Sequence, residues 1–381
     1  MIRSGSSCPN GELVPSDPPV APPPSGSAWF THLVRADATT GWHGRRWTSG
    51  VLAPEFAAGV HPDEVIASWN LDRGVGADIE IRARSIDAGW HSWQRLARWG
   101  AIGDRRSAPT DPARDHRAHV GPVLDTDILR AAPEDRWDAV QLRLTLHDEP
   151  SASDPPLRLA AVSFSAPDGP VPAAAGAAAG ASTPHALSVA PLSQRAYPSR
   201  DDLGGGGPAW CSPTSLTMVA SAWGVDIPSA PAAEAPGGAD GRVPWVARAV
   251  YDSSYDGTGN WAFNVALAGE LGLDALVTRL PSLQEAHELT RSGIPLVASI
   301  SFRDGELPGA DYATAGHLLV IRGFDAHGDV LVADPANPGG EAGLRTYPRD
   351  AFDAAWSHSR RTVYLITPRT RALPSGGSGA W

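Results

Sequence analysis

The chain has 381 residues and a net charge of −11, and all 31 of its basic residues are arginine. Hydrophobic residues make up 42%, enough for real cores, and no apolar run reaches the roughly 18 residues of a membrane span. The acidic balance, with no basic stripe, argues against nucleic-acid binding.

Residues 1–27 hold Pro15, Pro18, Pro19 and Pro22-Pro23-Pro24 and predict a disordered Pro-rich arm. Its start, through Cys8, lacks the apolar core of a secretory signal, so Cys8 reads as an incidental residue. The arginine, alanine, glycine and proline bias points to a GC-rich bacterial genome rather than to a function. Residues 28–165 predict an all-β sandwich or jelly-roll-like accessory domain. Asp78 to Arg84 and Val140 to Leu146 alternate apolar and polar, and Leu159 to Phe164 reads as a last strand. This region carries Trp29, Trp42, Trp47, Trp69, Trp90, Trp93, Trp99 and Trp137. Trp90-His91-Ser92-Trp93 reads either as core and hairpin packing or as a platform for a polysaccharide or cell-wall ligand. Residues 166–186 form an Ala/Pro/Gly linker, expected to carry few contacts and to leave the two halves separable.

Residues 187–368 predict an α+β domain, followed by a flexible tail at 369–381. Gly204 to Gly207 delivers Cys211 to a helix start, with Ser212 as N-cap and Pro213 at the first helical position. Leu216, Val219, Ala220 and Trp223 continue at helical spacing until Gly224. A thiol there faces unpaired N–H groups and the positive end of the helix, which favours the thiolate and predicts a low pKa in an open cleft. Trp261 to Leu271 predicts a second helix, and a Ser282–Glu285 capping box opens a third that Gly293 stops. Ile294 to Phe302 reads as a buried strand, and Gly316 to Phe324 as another that opens on His317. Asp325 to Gly328 makes a turn, and Asp329 to Asp334 returns. In that hairpin Asp334 is a diagonal neighbour of His317.

Cys211, His317 and Asp334 together supply a nucleophile, a base and a group to orient the base. Taken singly, each also reads as structural: a small buried residue, a packed imidazole and a turn starter. A zinc site from the same three lacks any close ligand pair, and no dinucleotide loop is present, so no metal or cofactor is expected. With one cysteine in the arm and one reserved for chemistry, no disulfide is expected either.

The segments Cys211-Ser212-Pro213-Thr214-Ser215, Gly316 to Gly323, Asp334-Pro335 and Ser193-Gln194 resemble those of the papain-like cysteine peptidases, within them the bacteriocin-processing-like group, family C-thirty-nine-like. The resemblance covers about 187–368. It implies a papain-like fold, a peptide or protein substrate, export to the extracellular space, and amide cleavage by Cys211, His317 and Asp334. It also implies that Gln194 helps to form an oxyanion hole. The same triad would serve acyl transfer to an amine, as in transglutaminase-like enzymes. A non-catalytic cell-wall or polysaccharide binder is the third alternative.

Overall fold

Strict alternation organises the first half. Ala77–Ser85 buries every second residue and pairs antiparallel with Trp137–Leu146 on one side and Gln94–Trp99 on the other. With Trp42–His43, Arg46–Thr48, Arg105–Ser107 and the short Gly89–Trp90 they form one sheet. A second sheet runs in the order Phe30–Arg35, Leu157–Ala166, Glu64–Leu71, Ile128–Arg130, Val123–Asp125. The computed structural model describes residues 30–108, 121–149, 155–166, 183–375 and 378–381. The proline-rich arm with Cys8, Trp29 and most of the linker lie outside them.

The second half combines five helices with a third sheet, counted among the described residues. The helices are α1 (Cys211–Ala222), α2 (Arg242–Val250), α3 (Trp261–Glu270), α4 (Leu283–Arg291) and α5 (Arg349–Ser357). The sheet runs Leu273–Arg279, Thr362–Pro368, Leu296–Phe302, Thr314–Phe324, Val330–Ala333, Leu344–Tyr347, all antiparallel. His185–Ala186 adds to Thr314–Phe324, and Gly323 is required there, since a Cβ would sit 2.0 Å from the His185 carbonyl oxygen. No described helix is long and apolar enough to cross a membrane.

Two local expectations change. Helix α1 starts at Cys211 itself, with Trp210 as N-cap, so Ser212 is inside the helix and its hydroxyl pairs with Tyr364 at 2.9 Å. Pro213 costs nothing two positions later, because the whole first turn lacks intrahelical N–H partners. The capping box of α4 does not form: Ser282 makes no side-chain cap bond, and Glu285 accepts from the Ser378 N–H at 3.2 Å instead. That bond belongs to a packed C-terminus, not a flexible tail. Gly379 accepts from the Leu33 N–H, Thr278 donates to the Ala380 carbonyl, and Ala380 is fully buried.

The expected sparse contact between the halves is also overturned. Glu64–Leu71 is buried along its whole length because its second face lies on the other half of the chain. Ser68 and Asn70, two apart and so on one face, bond to Val277 and Ala275. Helix α3 sits close against this strand at Gly269, where a Cβ would come within 2.5 Å of the Asn70 side chain. Phe263 of α3 stacks edge-on against Trp69 and Trp99. Around this apolar centre Glu64 pairs with Arg279 at 2.7 Å, and Arg105 with Glu270 at 2.9 Å. One core cluster runs through both halves.

Candidate active site

Three segments converge where α1 meets the third sheet. The first is the glycine loop. Gly207 lies so close to an upstream turn that a Cβ would meet the Tyr197 and Gln194 carbonyl oxygens at 2.2 and 2.6 Å. Only glycine permits that approach. The loop is thereby locked against Gln194–Ala196, and the short turn Gly207–Ala209 leads into Cys211. Cys211 thus occupies the first turn of α1, at the positive end of the helix. Ser215 ties the helix to the second segment by donating to the Leu318 carbonyl at 3.0 Å.

The second segment is Thr314–Phe324, which pairs Ile300 with His317 and carries the imidazole into the fold. The third is the turn after Val330–Ala333. Its Asp334 receives a hydrogen bond from Nε2 of His317 at 2.8 Å. An ionised carboxylate only accepts, so Nε2 carries the proton and Nδ1 is the ring nitrogen left for the thiol. A side-chain hydrogen bond joins His317 to Cys211. The hairpin geometry expected from the sequence therefore brings imidazole and carboxylate together.

Asp334 is fully buried, yet every lone pair direction is used. Oδ1 also accepts from the Ala336 N–H at 2.9 Å, and Oδ2 accepts from the hydroxyls of Tyr312 at 2.8 Å and Tyr347 at 2.7 Å. Burial alone would push this carboxyl up, but the imidazole, its hydrogen bond and the Tyr347 hydroxyl hold it below the usual carboxylate range. For His317, burial opposes the charged form, and the Asp334 carboxylate, helped by Cys211, raises it above the usual imidazole value. The pair thus favours an imidazolium facing the sulfur. Neither tyrosine was singled out in the sequence, although a buried carboxylate demands donors and so invites a search for hydroxyls.

Gln194 reaches the same region by another route. Its N–H donates to the Pro335 carbonyl at 2.9 Å, next to Asp334, and Ser193 donates to the Asn337 carbonyl at 2.6 Å. Its side-chain Nε2 donates to the Pro208 carbonyl at 2.8 Å, three residues before Cys211. Among the described residues the expected open cleft is not seen: Cys211, His317 and Asp334 are each 0% exposed.

Residues 186–364 match the family model described as Peptidase_C39 like family. The second half of the chain belongs to that family. It is accordingly a cysteine peptidase, and its substrate class is peptide or protein. Residues 22–165 match the model described as Peptidase C39 N-terminal domain, so this half is a companion of such peptidases rather than an unrelated addition. Among solved structures, one described as a C39-like peptidase from Bacillus anthracis overlaps at 16% identity and a TM-score of 0.34, covering 50% of this chain and 100% of that one. A search of the curated proteins found no match.

Trp90 and Trp93 each carry a guanidinium over the ring. The Arg82 guanidinium lies 4.6 Å from both ring centroids, and Arg143 lies 4.3 Å from that of Trp93. These arginines are themselves held, by Gln141 and by Glu80. Cations thus already take part of the stacking surface a sugar would use, and no observation favours a polysaccharide ligand here.

Proposed function

We propose that this peptidase cleaves amide bonds with Cys211 as nucleophile, His317 as general base and acid, and Asp334 as the group that orients the imidazole, in a papain-like layout of helix-borne thiol and sheet-borne base. The observation that carries the reading is His317, held by Asp334 through Nε2 and hydrogen-bonded to Cys211 at the first turn of α1. With its proton already on Nδ1 of His317, the thiolate attacks the scissile carbonyl carbon. The imidazolium then returns the proton to the departing amine, leaving a thioester on Cys211. Water, deprotonated by His317, attacks the thioester and releases the acid.

The tetrahedral oxyanion needs donors. The Cys211 backbone N–H, in the first turn of α1, is one. Gln194 is the other: one hydrogen of Nε2 goes to Pro208, which fixes the amide, and the second remains for the oxyanion. Since the three central side chains are buried, a substrate must displace covering groups to reach the sulfur. The test is hydrolysis of casein or a mixed peptide library by wild type, Cys211→Ala and His317→Ala. Activity in wild type that both substitutions abolish supports the roles, whereas hydrolysis that survives Cys211→Ala removes the thiol from the mechanism.

A further inference from the structure

Asp334 is held by more than the imidazole. Tyr312 comes from the segment before Thr314–Phe324, and Tyr347 ends the strand Leu344–Tyr347, so two separate parts of the chain send hydroxyls to one oxygen, Oδ2. Both rings are buried. The Tyr312 ring also meets His317 edge to face, with centroids 5.3 Å apart, so one side chain touches both partners of the charged pair. Gly309 packs along the Tyr347 ring, where a Cβ would contact it at 3.7 Å. With Oδ2 committed to two hydroxyls, the carboxylate has no freedom to rotate, and Oδ1 stays on Nε2 of His317.

We infer that Tyr312 and Tyr347 are positioning residues of this active site: they clamp Oδ2 of Asp334, so that the charge stays on the carboxylate and the proton on His317. The inference rests on the triad reading above. Two donors to an anion in a dry site stabilise the ionised form, and they count against an alternative in which the proton moves to Asp334 and leaves a neutral imidazole. Without them the imidazolium loses its fixed counter-charge, and the thiolate it supports becomes scarcer at mildly acidic pH. No bond to substrate is assigned to either hydroxyl.

The test is a double-substitution cycle read by iodoacetamide alkylation of Cys211, which needs no substrate. The proteins are wild type, Tyr347→Phe, Asp334→Asn and the double variant, each checked for unfolding temperature and circular dichroism. Tyr347→Phe removes a hydrogen bond to a charged group, so alkylation near pH 6 should slow by about tenfold and its acid limb should move up by about one pH unit. In the Asp334→Asn background, where there is no carboxylate to clamp, the same change should alter the rate by less than about twofold. Equal slowing in both backgrounds, or no slowing in either, would overturn the clamp. Should Tyr347→Phe not fold, Tyr312→Phe carries the same cycle, keeping its ring against His317. A wild-type pH profile that follows that of free cysteine, whatever the absolute rate, would instead refute the triad itself, and so is distinguishable from failure of the clamp.

Discussion

Asn70 brackets the backbone of Ala275: its Oδ1 accepts from the Ala275 N–H at 2.9 Å and its Nδ2 donates to the Ala275 carbonyl at 2.9 Å. One side chain from the first half thus acts as a strand partner for an edge of the third sheet. Asn70→Ala would leave both backbone groups buried and unpaired, and about 2–4 kcal/mol of unfolding free energy should be lost in urea titration. Because so much of the shared core depends on this contact, a fragment starting at Thr183 should be insoluble or lack a cooperative transition. A soluble fragment that unfolds cooperatively and keeps a reactive thiol would show that the interface is dispensable.

Asp127 lies on the same junction, 3% exposed, with Oδ2 accepting from the Trp261 N–H at the start of α3 and Oδ1 unpaired. Burial, against the Trp261 hydrogen bond and with Asp125 adding to it, pushes its carboxyl up to about 7. A raised carboxyl binds its proton more tightly in the folded state. Its contribution is therefore greatest below the unfolded value of 3.8 and is lost as pH rises through about 7. Asp127→Asn keeps an acceptor for Trp261 and never ionises. Above neutral pH the variant should be more stable than wild type by roughly 2–4 kcal/mol, with the difference fading toward pH 4. Chemical denaturation at both ends of this range decides it; a constant difference would mean that Asp127 is ionised throughout.

Gly207 sets the position of the thiol through close backbone approach. In Gly207→Ala the loop has to lift away from Tyr197 and Gln194, shifting the lead into α1. Hydrolysis should fall by about tenfold to a hundredfold, as small misplacements of a nucleophile do, while circular dichroism stays unchanged. Unaltered activity would show that the loop's position does not govern Cys211.

Much of the site was legible because it is local. A β-branched run, a Gly328 turn and a returning strand specify the hairpin, and the hairpin fixes the distance from His317 to Asp334. The glycines before Cys211 and the helical spacing after it specify where the thiol sits, although proline's tolerance throughout a first turn blurs the helix start. Tyr312 and Tyr347 were not legible, since their convergence on Oδ2 depends on three segments closing around one carboxylate. The interface between the halves was not legible for a related reason. The linker's composition reports on the linker alone, while Ser68 and Asn70, polar residues inside an otherwise apolar strand, were the trace of a covered second face.

The proposed mechanism requires that His317, held by Asp334, sustain a thiolate at Cys211. Iodoacetamide alkylation across pH, in wild type and His317→Ala, measures this most directly. Wild type should react well below the ordinary thiol range near 8.5 and still be modified at about pH 6. In His317→Ala the rate at that pH should fall at least about tenfold, and the profile should move up to that of an unassisted thiol. Profiles that coincide, both following free cysteine, would contradict the account.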